Sequence, residues 1–165
     1  MKVTQYSEGC GALISDIQLA DLSVTQLADL RTIFAKHGLL FFRDQDFSPQ
    51  DHLQFAQRFG SIVVNKFFRA IEQFPEIAEV RKEKEQQTNI GGGWHTDHSY
   101  DDIPAMGSIL VARKLPETGG DTQFANLANA YDALSPQIKS RIENLRAVHS
   151  NKHLYGENGL YRMTD

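Results

Sequence analysis

The apolar residues of this chain change period near Ser61, and that change limits the folds open to it. Before that point, Val24, Leu27, Leu30, Ile33 and Phe34 recur at helical spacing. Ser23 offers a hydroxyl to cap the helix start, and His37-Gly38 ends the pattern with a residue tolerant of positive φ. Leu39-Leu40-Phe41-Phe42 is a continuous apolar run between Gly38 and the polar Arg43-Asp44-Gln45-Asp46, as expected of a short strand buried on both faces. A second helix is expected with Ser48 as cap, Pro49 at its first position and Gly60 as its stop; Leu53, Phe55, Ala56 and Phe59 supply its apolar contacts. Upstream of both helices, Gly11-Ala12-Leu13-Ile14 reads as a short strand.

From Ser61 onward short strands are expected instead: Ile62-Val63-Val64, then Ile77-Ala78-Glu79-Val80 beyond a loop holding Pro75, and later residues 106–111, 122–125 and 145–149. Pro116-Glu117-Thr118-Gly119-Gly120 reads as a turn, and Ser135-Pro136 starts one more helix. Residues 81–93 are charged, then polar, then glycine-rich, which predicts a mobile surface loop. No internal repeat and no linker divides the chain, so residues 1–165 are expected to form a single domain, mainly β with flanking helices.

A chain of 165 residues that is 41% hydrophobic can bury a core. Its net charge is −4 with acids and bases interspersed, and no block of Lys or Arg is dense enough to form a phosphate-binding face. Nucleic acid is not an expected partner. No run of about 18 apolar residues occurs and the start has no long apolar stretch, so neither a membrane span nor a signal peptide is supported and a cytoplasmic location is the expectation. The single cysteine, Cys10, is expected to be a small buried or half-exposed residue.

Chemistry concentrates in Trp94-His95-Thr96-Asp97-His98. An imidazole and a carboxylate two residues apart on an extended backbone project to the same side, where they can grip one metal. Two imidazoles and one carboxylate make the facial set that leaves coordination positions open on Fe(II). An H-x-D tripeptide alone is common, and a surface pair or a hydrogen-bonded turn is its ordinary meaning. What raises it here is Leu115-Pro116-Glu117-Thr118-Gly119-Gly120-Asp121-Thr122-Gln123-Phe124-Ala125-Asn126 downstream.

With both segments the sequence resembles the taurine dioxygenase (TauD/TfdA) family of Fe(II)- and 2-oxoglutarate-dependent dioxygenases, in which Trp-His-Thr/Ser-Asp precedes a Pro-x-x-Gly-Gly-Asp-Thr turn and strand. Gly11-Ala12-Leu13-Ile14, Phe41-Phe42-Arg43-Asp44-Gln45, Phe55-Ala56-Gln57-Arg58-Phe59-Gly60 and Ala130-Tyr131-Asp132-Ala133-Leu134 extend the resemblance along nearly the whole chain. It implies a double-stranded β-helix, or jelly roll, with helices outside it. It also implies iron ligation by His95 and Asp97, and a Thr122 hydroxyl that meets a 2-oxoglutarate carboxylate. The implied reaction consumes O2 and 2-oxoglutarate, releases succinate and CO2, and oxidises a C–H bond of a small organic substrate. At the positions where taurine-oxidising members meet the sulfonate or its amine through histidine, tyrosine and asparagine, this chain has Asn65, Phe68 and Gly91. A sulfonate wants cationic or strong donor groups, so this set argues against taurine. Packing or a loop contact is the plain alternative for Asn65 and Phe68.

The family completes its metal site with a second histidine about 150 residues after the first ligand, followed by an arginine for the co-substrate. This chain stops at Asp165, so a fragment, a truncated product or a degenerate, inactive remnant is expected, with the jelly roll incomplete at its C-terminus. Missing strands would expose edges, giving poor solubility or a homo-oligomer that covers them. His149 and His153 lie downstream of the motif, but the Val148-His149-Ser150 stretch has family counterparts that are not ligands. His98 is expected on the face opposite Asp97, as a wall or surface residue. An alternative zinc site from His95, Asp97 and His98 ranks last, because structural zinc prefers a closed set with sulfur and no cysteine lies near.

Overall fold

In the computed structural model, residues 1–87 and 91–152 are described. They fall into two compact units, residues 1–58 with 111–145, and residues 59–87 and 91–110 with 146–152.

The first unit is built on a parallel strand pair. Strand β1 (Lys2–Gln5) runs antiparallel to β2 (Ala12–Ser15), with Lys2 opposite Ser15 and Gln5 opposite Ala12. Strand β2 pairs in parallel with β3 (Leu40–Phe42), Ala12 opposite Leu40 and Ile14 opposite Phe42, giving the order β1-β2-β3. Parallel neighbours need a crossover of a dozen or more residues, and helix α1 (Val24–His37) supplies it. The core of this unit is Ala12, Ile14, Leu19, Leu22, Leu30, Phe47 and Phe55, with Ile14 and Leu30 the largest side chains fully enclosed.

Local chemistry sets the helix ends. Ser23 and Gln26 form a reciprocal capping box, in which Gln26 N donates to Ser23 Oγ at 3.1 Å and Ser23 N to Gln26 Oε1 at 2.9 Å. Gly38, at φ 71°, closes the other end by donating its N–H to the Phe34 carbonyl at 2.8 Å. Val24 belongs to the sequence's apolar face but is 82% exposed, because the first helical position lies at the edge of the buried stripe. Helix α2 (Pro49–Phe59) begins with a similar reciprocal pair, Ser48 N donating to Asp51 Oδ2 at 2.9 Å and Asp51 N to Ser48 Oγ at 3.2 Å. The Ser48 hydroxyl also donates to Asp51 Oδ2 at 2.5 Å, and this bond, followed by the Ser48 amide, holds the Asp51 carboxyl below the usual carboxylate range.

Side chains tie the loops to this frame. Gln45 accepts from Leu19 N at 2.9 Å and donates to the carbonyls of Ile17 and Arg43 at 3.0 and 2.8 Å. Arg58 donates to the Leu22 carbonyl at 2.7 Å and Arg31 to the Arg58 carbonyl at 2.6 Å, joining the end of α2 to the start and middle of α1. The returning segment, with helices α3 (Leu127–Asp132) and α4 (Pro136–Ile142), is held by Arg113 donating to the Phe47 carbonyl at 2.7 Å and Asn129 to that of Gly9 at 2.7 Å. Helix α4 has the expected Ser135 cap and leading proline. Helix α3 was not expected as a separate element; Asn126 caps it, accepting from Ala128 N and Asn129 N.

The second unit holds the hairpin β4 (Ala70–Ile71) and β5 (Phe74–Ala78), turned at Gln73 with φ 66°. Pro75 therefore lies inside a strand rather than in a loop, a place open to proline on an edge strand.

Several expected strands are corrected. Ile62-Val63-Val64 and residues 106–111, 122–125 and 145–149 have no strand ladder among the described residues. Apolar patterning marks surface that can be buried, whereas a strand exists only through a partner's hydrogen bonds. Without partners these segments leave apolar side chains in solvent, Met106, Leu110 and Val148 being 63%, 70% and 93% exposed. The run 39–42 is half-buried rather than enclosed on both faces. Residues 88–90 of the expected mobile loop lie outside the described residues.

Two outcomes follow from the helix ends. Ser23→Ala removes one half of the α1 capping box and should lower stability by about 1 kcal/mol in urea unfolding. The folded Asp51 carboxyl titrates below its unfolded value, so its stabilisation of α2 is present at neutral pH and disappears as the pH falls through the carboxylate range. Amide protection in α2 should decline with acidification in the wild type, and Asp51→Asn should flatten that decline.

Candidate metal and co-substrate site

His95 and Asp97 converge. His95 Nε2 lies 3.2 Å from Asp97 Oδ1, and on the opposite side of the ring Nδ1 lies 2.8 Å from the Gly93 carbonyl oxygen. A carbonyl only accepts, so Nδ1 carries a proton in this contact and Nε2 is the nitrogen left to face the carboxylate. Where Nε2 carries no proton, it and a carboxylate oxygen at that distance set two lone pairs against each other, an arrangement relieved by a cation between or beside them. Both side chains are more than half exposed, so a cation could reach them from solvent.

The backbone differs from the extended segment expected for this tripeptide. Residues 94–96 are irregular, and the chain enters a turn at Asp97. His98, at φ 55°, reverses the direction, and Asp101 N donates to the His98 carbonyl at 3.0 Å. The shared side of His95 and Asp97 therefore comes from a loop leading into a turn. The His98 ring is taken up by Asp101, with Nδ1 2.8 Å from Asp101 Oδ2, and its side chain is 20% exposed. This overturns the alternative zinc site of His95, Asp97 and His98: no group of three or more His, Cys, Asp or Glu placed to hold a metal occurs among the described residues. The His98–Asp101 pair escaped the sequence reading, although H-x-x-D within a turn is a spacing that allows it.

Thr122 belongs to the first unit, whereas His95 and Asp97 belong to the second. Thr122 is exposed on an irregular segment that follows Gly119 and Gly120, both left-handed at φ 76° and 75°. Arg113 anchors this segment upstream, and downstream the Asn129 bond to Gly9 and a weak Cys10 thiol contact with the Phe124 carbonyl at 3.9 Å hold it. Cys10 itself is free and half-buried, as expected.

Of the substrate-pocket candidates, Gly91 lies against the His95 ring. The Asn65 side-chain oxygen accepts from Phe67 N at 2.8 Å and Phe68 N at 3.1 Å, an Asx turn that fixes the half-buried Phe68. His149 is exposed on an irregular segment, and His153 lies outside the described residues. Trp94, next to His95, is 72% exposed.

Residues 2–163 match the family described as taurine catabolism dioxygenase TauD, TfdA family. The chain belongs to this family. It is 33% identical over 145 residues to an (S)-phenoxypropionate/alpha-ketoglutarate-dioxygenase of Sphingobium herbicidovorans, covering 85% of this chain and 50% of that protein. It is 36% identical over 148 residues to an alkylsulfatase of Acinetobacter baylyi, covering 88% of this chain and 46% of the relative. Among solved structures, a taurine dioxygenase from Burkholderia xenovorans superposes with a TM-score of 0.75 at 28% identity, over 87% of this chain and 51% of that one. AAD-2 in complex with Mn(II) and N-oxalylglycine gives 0.74 at 28% identity, over 100% of this chain and 58% of that one. The chain thus spans about half the length of the curated relatives it matches.

The Asx turn yields a direct check. Asn65→Ala should expose the amides of Phe67 and Phe68 to exchange, with a rise of roughly fivefold for a lost bond of about 1 kcal/mol, read by hydrogen exchange at those two residues.

Proposed function

We propose that residues 1–165 are the N-terminal part of a single jelly-roll domain of an Fe(II)- and 2-oxoglutarate-dependent dioxygenase that oxidises a C–H bond of a small organic substrate. The observation that carries this reading is the convergence of His95 Nε2 and Asp97 Oδ1 at 3.2 Å, with Nδ1 occupied by the Gly93 carbonyl. An imidazole and a carboxylate are two of the three donors of the facial set that suits Fe(II) and leaves positions open. The bound iron, with 2-oxoglutarate and O2, supplies the oxidising power, and 2-oxoglutarate leaves as succinate and CO2. The third ligand and the co-substrate arginine are assigned to the longer chain implied by the relatives' length.

Within this chain, the His95 ring orientation is set by a backbone carbonyl, a support that fixes the tautomer of a metal-binding histidine. The Thr122 hydroxyl donates one hydrogen bond to a 2-oxoglutarate carboxylate. Asn65, Phe68 and Gly91 contribute to the substrate pocket, and with no cation among them they favour a substrate other than taurine. A homo-oligomer would cover the apolar side chains of Met106, Leu110 and Val148, which stand in solvent in the short chain. No helix of the described residues is long and apolar enough to cross a membrane, and we place the enzyme in the cytoplasm.

The competing reading is a catalytically inactive remnant, favoured by the absent ladders among the described residues. Anaerobic titration with Fe(II) and 2-oxoglutarate separates the two through the weak visible charge-transfer band of the chelate. A chain extended to the relatives' length should show the band, and His95→Ala should abolish it. Absence of the band in both the short and the extended chain would overturn the dioxygenase reading and leave the remnant.

A further inference from the structure

One glycine-rich loop touches the His95 ring at two places. The Gly93 carbonyl meets Nδ1 at 2.8 Å. Gly91 lies against the Cε1–Nε2 edge: a Cβ at that position would fall 3.1 Å from Cε1 and 3.8 Å from Nε2. The first distance is inside ordinary carbon–carbon contact, so the ring would have to give by a few tenths of an ångström. Moving it disturbs the Nδ1 contact with Gly93 or the 3.2 Å approach of Nε2 to Asp97. A displacement of this size takes up much of the roughly 0.5 Å within which a binding site holds its geometry. Gly91 also has φ 68°, in the left-handed region that disfavours a side chain.

We propose that Gly91 is a positioning residue for His95: its missing side chain lets the ring hold Nδ1 on the Gly93 carbonyl and Nε2 toward Asp97, and so sets how tightly the pair grips a divalent metal. Position 91 then acts through the metal ligand as well as through any contact with substrate. This inference rests on the reading of His95 and Asp97 as metal ligands.

Gly38 provides a matched control. It is also left-handed, at φ 71°, yet nothing lies within 4 Å of a Cβ placed there, so alanine brings backbone strain without a steric encounter. The probe is Mn(II), titrated into the chain and followed by the electron paramagnetic resonance of the free ion. Gly91→Ala should bind Mn(II) about tenfold more weakly than the wild type, in line with disturbed support of a metal ligand. Gly38→Ala should bind as the wild type does, although both variants melt earlier. Equal affinity of Gly91→Ala and the wild type overturns the proposal. If the wild type shows no Mn(II) binding that His95→Ala removes, the metal-ligand reading has failed, and the ring itself then decides the positioning role. In metal-free protein, the nitrogen-15 shift of His95 Nδ1, which reads its contact with the Gly93 carbonyl, should be the same in the wild type and in Gly38→Ala and displaced in Gly91→Ala. An unchanged shift in Gly91→Ala would overturn the positioning role as well.

Discussion

The parallel pairing of β2 with β3 is the constraint on which the first unit depends. Two parallel strands cannot be joined by a tight turn, so the register of Ala12 opposite Leu40 requires the chain to leave the sheet and return through α1. The two most enclosed large side chains, Ile14 and Leu30, come from the strand and from that crossover helix. The loops on either side are fixed by amide and guanidinium groups of Gln45, Arg31 and Arg58 bonded to backbone carbonyls. Onto this frame the later segment is fastened by Arg113 and Asn129, and Thr122 lies between those two anchors.

The helices were legible because their signals are local. A capping box spans four residues, a left-handed glycine marks its own stop, and the apolar spacing repeats within a few turns. Both long helices accordingly run between the residues that the sequence marked, Ser23 to Gly38 and Ser48 to Gly60. Strands were legible only where a partner lies within the chain. Ala12–Ser15 and Leu40–Phe42 find each other, whereas residues 106–111 carry an equally apolar pattern and pair with nothing among the described residues. β1 went unnoticed for the converse reason. Its four exposed residues carry no burial signal and are strand only through their bonds to β2.

At the site, what could be read was the identity of the donors, because imidazole and carboxylate chemistry is written in the residue types themselves. Their convergence survived a mistaken backbone: the turn at Asp97 and His98 brings the two groups together as an extended strand would have done. What holds the ring could not be read, since the Gly93 carbonyl belongs to the backbone and every residue has one. The role of Asn65 was obscured for a related reason. Its amide oxygen can serve a ligand or its own turn, and only the geometry shows that it accepts from Phe67 and Phe68.

The chain has a single tryptophan, and it stands beside a proposed metal ligand rather than in the core. Trp94 is therefore an optical label for one loop of the second unit. At 72% exposure its indole is in contact with water already in the folded protein, so its fluorescence is expected to register events at the neighbouring His95 and to change little on melting of the cluster around Ile14 and Leu30. The loop and the core report through separate spectral channels, indole emission for one and far-ultraviolet ellipticity for the other.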